Sequence, residues 1–212
     1  MNIISHRGLW DNNTPKNSIK SIENSLINGF GTETDLRDFN GNVIISHDMP
    51  CSKNKIFYFD EFLEIYKQIN SELPIALNVK SDGLTIKIKE ALEKHQINNY
   101  FLFDMSVPDQ LQYIKNNLNV YSRLSEFEKK PLFLDLIKGI WLDSFESKWF
   151  NKKTICKYLS LGKNVCIVSP ELHNRPYIEL WKYLKQQNLY KFKGLTLCTD
   201  IPLDAKTFFY EK

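Results

Sequence analysis

The chain has 212 residues, 42% of them hydrophobic and 25% charged, with a net charge of +3. This is the composition of one globular domain with a full core, and it excludes disordered, collagen-like and low-complexity chains. A charge so close to neutral gives no electrostatic case for nucleic acid as a partner.

Short β-rich runs alternate with longer helical patterns. "NIISHRG" (2–8) reads as a strand closed by a polar turn. In "KNSIKSIENSLINGFG" (16–31), Ile19, Ile22 and Leu26 share one helical face, with Ser18 as N-cap and Gly29 as the stop. "TETDLR" (32–37) and "NVIISHD" (42–48) are strands, the second an extra one beside the first. "DEFLEIYKQIN" (60–70) predicts a helix capped by Asp60, "PIALNVK" (74–80) a strand, "SDGLTIKIKEALEKHQI" (81–97) a helix and "YFLFDMS" (100–106) a strand.

The second half repeats the rhythm. "VPDQLQYIKNNL" (107–118) predicts a helix, "VYSRLS" (120–125) a strand, and "EKKPLFLDLI" (128–137) a helix with Pro131 near its first turn. "GIWLDSF" (139–145) is a strand and "SKWFNKKTICKYLSLG" (147–162) a helix ending at Gly162. "NVCIVSP" (164–170), "RPYIELWKYLKQQN" (175–188), "GLTLCTD" (194–200) and "LDAKTFFYE" (203–211) complete the series as strand, helix, strand and short helix. Strands this continuously apolar are covered on both faces, as in a parallel sheet. Eight βα units over 1–212 predict a single compact (β/α)8 barrel without an inserted domain. The competing doubly wound sheet would need fewer strands and a Gly-rich first turn, and no GxGxxG follows the first strand.

A barrel places its chemistry at the C-terminal ends of its strands. Those ends carry His6 and Arg7; Glu33, Asp35 and Arg37; His47 and Asp48; Asn78 and Lys80; Asp104; Asp143; Ser169 and Glu171; Thr199 and Asp200. Glu33 and Asp35 are two apart, so a strand points both to one face. Two adjacent carboxylates repel unless a cation or a shared proton relieves them. Oxygen ligands suit a hard divalent cation, Mg²⁺ or Ca²⁺, to which Asn78 can add an amide oxygen while Lys80 supplies a point charge.

Each feature alone has a structural reading: a satisfied histidine, a solvated strand edge, a helix cap. Asp104 and Asp143 stay open between pocket residues and caps, and His95 and His173 read as surface or loop residues. There are only four arginines, Arg7, Arg37, Arg123 and Arg175, each able to make a bidentate contact. The four cysteines, Cys51, Cys156, Cys166 and Cys198, lack zinc-site spacing and suit a reducing cytosol. No apolar run approaches the ~20 residues that span a bilayer and no leader precedes the first strand. The expectation is a cytoplasmic protein without stable membrane insertion; Trp149-Phe150 is a weak lipid anchor at most.

"SHRG" followed by "TETDLRDFNGNVIISHD" resembles the glycerophosphodiester phosphodiesterase family, of the phospholipase C-like phosphodiesterase superfamily. That family shows HRG, a PENT-like tetrapeptide, ExD, and a strand ending in HD; the closing "KGLTLCTDIP" also matches its last strand. The resemblance covers 3–49 most strongly, with support at 74–80 and 194–202. It implies a TIM barrel hydrolysing a small phosphodiester with one divalent cation. His6 and His47 would be the acid-base pair, Arg7 and Lys80 would meet the phosphate, and Glu33, Asp35 and Asn78 would hold the metal.

Two positions depart from the pattern. The PENT element reads "PKNS", with Lys16 where the family has Glu, and Asn78 stands where an acidic ligand is usual. Both changes remove negative charge. Lys16 would favour a substrate carrying an extra anionic group, such as a phosphoglycerol-bearing glycan or a nucleotide-activated precursor. A different class, a lapsed barrel that binds phosphorylated ligands without turnover, follows from the same two losses.

Overall fold

The computed structural model describes residues 1–51 and 55–211. Its parallel strands are β1 (Asn2–His6), β2 (Gly31–Phe39), β4 (Ile75–Val79), β5 (Tyr100–Phe103), β6 (Tyr121–Leu124), β7 (Gly139–Leu142), β8 (Asn164–Val168) and β9 (Leu195–Thr199). They run in the order β5-β4-β2-β1-β9-β8-β7-β6. The barrel all but closes: β5 meets β6 through a single parallel bridge, Leu102 to Val120, and Leu102 N–H donates to Asn119 O at 2.8 Å. β3 (Asn42–Ile45) adds antiparallel to the far end of β2, as the extra strand read from the sequence.

The helices are α1 (Ile19–Ile27), α2 (Phe59–Asn70), α3 (Thr85–Lys94), α4 (Val107–Lys115), α5 (Lys152–Ser160), α6 (Ile178–Gln186) and α7 (Pro202–Tyr210). Ser18 caps α1 by accepting from Ser21 N–H, and Gly29 ends that segment at φ +78°. On α2, Phe59, Phe62 and Tyr66 recur at helical spacing, all fully buried, with ring centroids 6.0 and 6.4 Å apart. Burying each such ring contributes on the order of 1.5–3 kcal/mol.

Several expectations are corrected. The helix over 128–137 does not form; turns occupy that segment between β6 and β7. Phe133 takes a left-handed φ of +50°, and Ser125 and Ser122 bind the loop backbone instead, Ser125 Oγ accepting from Glu128 N–H and Ser122 Oγ donating to Leu132 O. Asp60 is not the cap of α2, which starts one residue earlier; its carboxylate accepts from His95 and Lys94. His95 is accordingly buried, not a surface residue. The segment 147–162 is helical only from Lys152, because Asn151 supplies the cap. Phe150 is buried at its base, and Trp149 Nε1 donates to Asp143 O at 2.8 Å, which leaves that pair no anchor to offer.

The barrel interior is packed by Ile4, Ala76, Phe101, Phe103, Tyr121, Trp141, Cys166, Val168 and Cys198. Phe101 stacks on Tyr121 and Phe103 on Trp141, each at 3.9 Å. One pleat further along the same strands the inward residues become polar, so this aromatic floor supports the mouth. No helix among the described residues is long and apolar enough to cross a membrane.

Candidate active site

His6 closes β1, and its Nδ1 lies 2.7 Å from Asp200 Oδ1 at the end of β9, 194 residues away. Its Nε2 lies 3.9 Å from Glu33 Oε2 on β2. Burial pushes the imidazole pKa down, aided by Arg7 and Lys16, against the opposing pull of Asp200. The neutral, proton-accepting ring is therefore favoured. For Asp200, burial alone would raise the pKa, but the hydrogen bond and charge of His6, with Lys16, hold it below the usual carboxylate value.

Arg7 would face away from the barrel if the strand continued. It sits instead at φ +60°, followed by Gly8 at φ +85°, and the guanidinium Nε lies 2.8 Å from Asp35 Oδ2. Gly8 has a packing reason as well: a Cβ there would fall 2.5 Å from Ser21 Oγ. Non-glycine residues at positive φ are rare and gather where a side chain must be re-aimed. Asp104, at φ +70° after β5, is a second case.

Glu33 and Asp35 are both fully buried and point to the same face, as the two-residue spacing requires. Asp35 is well compensated. Besides its ion pair with Arg7 it accepts a hydrogen bond from Asn17 Nδ2 at 2.8 Å, and Lys80 Nζ stands 3.4 Å from its other oxygen. Glu33 has no such partner. Its burial, then the charge of Asp35, push its pKa well up, with Asp104 adding to the effect and Arg7 and Lys80 opposing it. Asn78, opposite Asp35 on β4, donates through Nδ2 to Asp104 Oδ2 at 3.1 Å.

Three oxygens in this set are buried without a hydrogen bond: Glu33 Oε2, Asp35 Oδ1 and Asn78 Oδ1. Buried acceptors without a hydrogen bond, one of them facing Lys80 Nζ at 3.4 Å and one on a carboxyl whose charge is resisted, are what a hard cation satisfies. Among the described residues no three His, Cys, Asp or Glu side chains converge as a metal-binding group. The donor set is two carboxylates and one amide, so it fits a divalent cation with one formal charge fewer than a three-carboxylate site.

Lys16 does reach the mouth. Its Nζ is 3.4 Å from Asp200 Oδ2 and 4.1 Å from the centre of the Trp10 ring, so part of its charge is already met. The His47 side chain is 45% exposed, and its Nδ1 contacts Asp48 at 2.8 Å.

That cavity, about 420 Å³, is bounded by His6, Arg7, Lys16, Glu33, Asn78 and Lys80 on one side. Across it stand residues the sequence located only as strand ends or missed. Arg123 bridges Asp104 and Asp143, reaching the latter at 3.2 Å. Burial opposes its charge, but Asp104 first and Asp143 next raise its pKa. Asp143 and Asp104 are thus pocket residues, not caps; α4 and α5 are capped by Ser106 and Asn151. His173, expected on the surface, lines the cavity with Nε2 2.7 Å from Asp143 Oδ1. Nothing local marks it; its partner comes from a strand 30 residues earlier.

No family model matches the chain, and no curated protein matches it. Solved structures do. A protein of Galdieria sulphuraria, proposed to be a glycerophosphodiester phosphodiesterase, aligns over 98% of this chain and 97% of its own, with TM-score 0.76 and 14% identity. A phosphodiesterase of Oleispira antarctica, solved with its product sn-glycerol-3-phosphate, aligns over 98% and 96% with TM-score 0.72 and 15% identity. The glycerophosphodiester phosphodiesterase of Thermotoga maritima aligns over 96% of each, with TM-score 0.71 and 13% identity. At these identities the likeness is one of fold: the chain is a (β/α)8 barrel of the kind glycerophosphodiester phosphodiesterases have, over its whole length.

Proposed function

We propose that the protein is a metal-dependent phosphodiesterase that cleaves a glycerophosphodiester-like substrate to a phosphomonoester and an alcohol. One observation carries this reading. A single cavity gathers an imidazole that burial pushes toward its neutral form, the buried oxygens Glu33 Oε2 and Asn78 Oδ1, which accept no hydrogen bond, and the cations Arg7, Lys80 and Arg123, the first two of which also hold Asp35. A phosphodiester needs these three provisions: a base, a counter-charge and a clamp.

Glu33, Asp35 and Asn78 would hold Mg²⁺ or Ca²⁺, which supplies Lewis-acid polarisation of a phosphoryl oxygen. Arg7 and Lys80 meet the remaining phosphate charge. His6, oriented by Asp200, takes the proton of the attacking hydroxyl through the nitrogen that faces the cavity side of Glu33. A hydroxyl vicinal to the phosphate, as in glycerol, is the nearest nucleophile; its attack gives a cyclic phosphate that water opens. A second imidazole must protonate the departing alcohol, a role the sequence resemblance gives to His47.

A larger anionic substrate is the second reading. A further cavity of about 620 Å³ shares Lys80, Asp104 and Arg123 with the mouth and includes Lys130, where the missing helix leaves room. The partial neutralisation of Lys16 by Asp200 lowers the effect expected of it. The free thiols support a reducing compartment.

The test is a panel of phosphodiesters assayed with Mg²⁺ and Ca²⁺, wild type against His6→Ala. Loss of one acid-base group costs roughly 10²–10⁴ in kcat. A His6→Ala enzyme as fast as wild type removes His6 from the chemistry. A wild type that binds diesters and turns none over establishes the lapsed barrel instead.

A further inference from the structure

We infer that Glu171 reads the terminal hydroxyl of the substrate's glyceryl group by accepting a hydrogen bond from it; this rests on the phosphodiesterase reading above. Glu171 lines the mouth cavity, and the chemistry of His6, Arg7 and Lys80 makes no use of it. Its two carboxyl oxygens differ. Oε1 accepts from Thr199 Oγ1 and from the Asp200 backbone N–H, the latter at 3.2 Å. Oε2 is buried and accepts no hydrogen bond.

The position of Glu171 is built. It follows Pro170 in a one-turn 3-10 helix after β8, Pro170–His173, which Asn174 closes in the left-handed region. Pro170 is buried, and its carbonyl accepts from Arg175 N–H at 3.1 Å. At the foot of the turn, Ser169 Oγ accepts from Trp181 Nε1 at 2.9 Å. With its backbone held in this way and Oε1 tied to the end of β9, the carboxylate is fixed in place. A buried acceptor held so, and left without a donor, is one that a ligand's donor satisfies.

The strand order identifies the donor. β8 lies beside β9 and β9 beside β1, so Glu171, Asp200 and His6 follow one another round the mouth. The groups proposed for the cation and the phosphate stand the other way, on or just after β1, β2 and β4: Arg7, Glu33, Asp35, Asn78 and Lys80. A glyceryl diester with phosphorus on that side and its vicinal hydroxyl at His6 runs its last carbon away from phosphorus, toward β9 and β8. The primary hydroxyl on that carbon meets Glu171 Oε2. An ionised carboxylate only accepts, so the contact needs a free hydroxyl and is lost where that oxygen is missing or carries no proton. No bond is made or broken at this group; its effect is on which diester is held.

A site built to pair a substrate hydroxyl rejects the analogue that lacks it, because its own buried acceptor is then left unpaired. The test uses two ethyl diesters with Mg²⁺ or Ca²⁺: that of sn-glycerol 3-phosphate, and its 1-deoxy analogue, in which a methyl group replaces the hydroxymethyl and the vicinal hydroxyl remains. Wild type should favour the glyceryl diester in kcat/KM by about 10–100-fold, the range of a hydrogen bond to a charged group. Glu171→Ala should bring that ratio close to one. Glu171→Gln should lower it as well, because its amide oxygen keeps the Thr199 and Asp200 donors while its NH₂ stands where Oε2 was. A Glu171 that only positions Asp200 and His6 would instead slow both diesters alike in either variant, and that result overturns the inference. A variant that keeps the full wild-type ratio overturns it too. Thermal midpoints report folding, and where neither variant folds the wild-type ratio alone decides. Wild type inactive on both diesters overturns the phosphodiesterase reading and this inference with it; wild type active on both without preference overturns this inference alone.

Discussion

Asn78→Asp tests the cation site without relying on turnover. Asn78 is buried and donates to Asp104 Oδ2 at 3.1 Å, so the substitution turns a hydrogen bond into two facing carboxylates. At an effective dielectric constant near 20, two charges ~4 Å apart repel by about 4 kcal/mol. The protein can escape by binding a proton, which at pH 7 costs about 1.4 kcal/mol for each of roughly three pK units, again about 4 kcal/mol. That is the ceiling, and Arg123 beside Asp104 lowers it. For a chain of this size 1 kcal/mol moves the melting midpoint by about 2–4 °C, so the expected fall in EDTA at pH 7 is at most about 8–16 °C. The new carboxyl has a raised folded-state pKa, so its penalty grows as pH rises; at pH 5 it should shrink to about 1.5 kcal/mol. A divalent cation at 100 times its Kd returns about 2.7 kcal/mol, and the variant, with its added charge, should reach that point at lower Mg²⁺ or Ca²⁺ than wild type. Calorimetry in EDTA and across a metal titration reads all of this. A variant as stable as wild type in EDTA at pH 7, or no more responsive to metal, refutes the placement of Asn78 beside both Asp104 and a cation.

Glu33 should make wild-type stability in EDTA decline as pH rises above the ordinary glutamate pKa, because its raised folded-state pKa means the native state holds the proton longer than the unfolded chain does. Glu33→Gln should flatten that decline and abolish the thermal response to metal; urea melts from pH 5 to 8 check it. Lys16→Glu should raise KM for a substrate with a second anionic group by an exposed-pair amount, about 0.2–1 kcal/mol or several-fold at most, and leave simple diesters unchanged; identical kinetics on every diester tested would make Lys16 a surface residue only. Gly31→Ala should destabilise by about 1–3 kcal/mol or more, since its Cβ would fall 2.1 Å from Pro74 O in the β2–β4 ladder, and a denaturant midpoint equal to wild type would contradict that packing.

The strand rhythm and the C-terminal polar residues were legible because both are local. A two-residue period fixes which face Glu33 and Asp35 share, and an apolar run ending in His-Arg-Gly announces a strand and its turn. The loop over 128–137 was not legible, because its apolar spacing mimics a helix while Phe133 and the Ser125 and Ser122 bonds decide otherwise. Partnerships at the mouth were hidden for a different reason. His6 with Asp200, Asn17 with Asp35, and Arg123 with Asp143 join the ends of different strands or the loops after them, and only the pairing of those strands in the sheet makes them neighbours. Asn17 was visible only as a letter in "PKNS", yet it orients Asp35 and accepts from Thr34 Oγ1 at 2.9 Å. His173 carried no motif, and its contact with Asp143, which follows β7, exists only in the folded barrel.

Phosphorus NMR of a glycerophosphodiester incubated with the wild-type protein, with Mg²⁺ or Ca²⁺ and then with excess EDTA, tests the central claim most directly. The account expects the diester resonance to give way to that of a phosphomonoester, by way of a cyclic phosphate if the vicinal hydroxyl attacks, and expects EDTA to stop the conversion. A diester that persists with either metal across the whole panel, or that is cleaved at the same rate in EDTA, contradicts it.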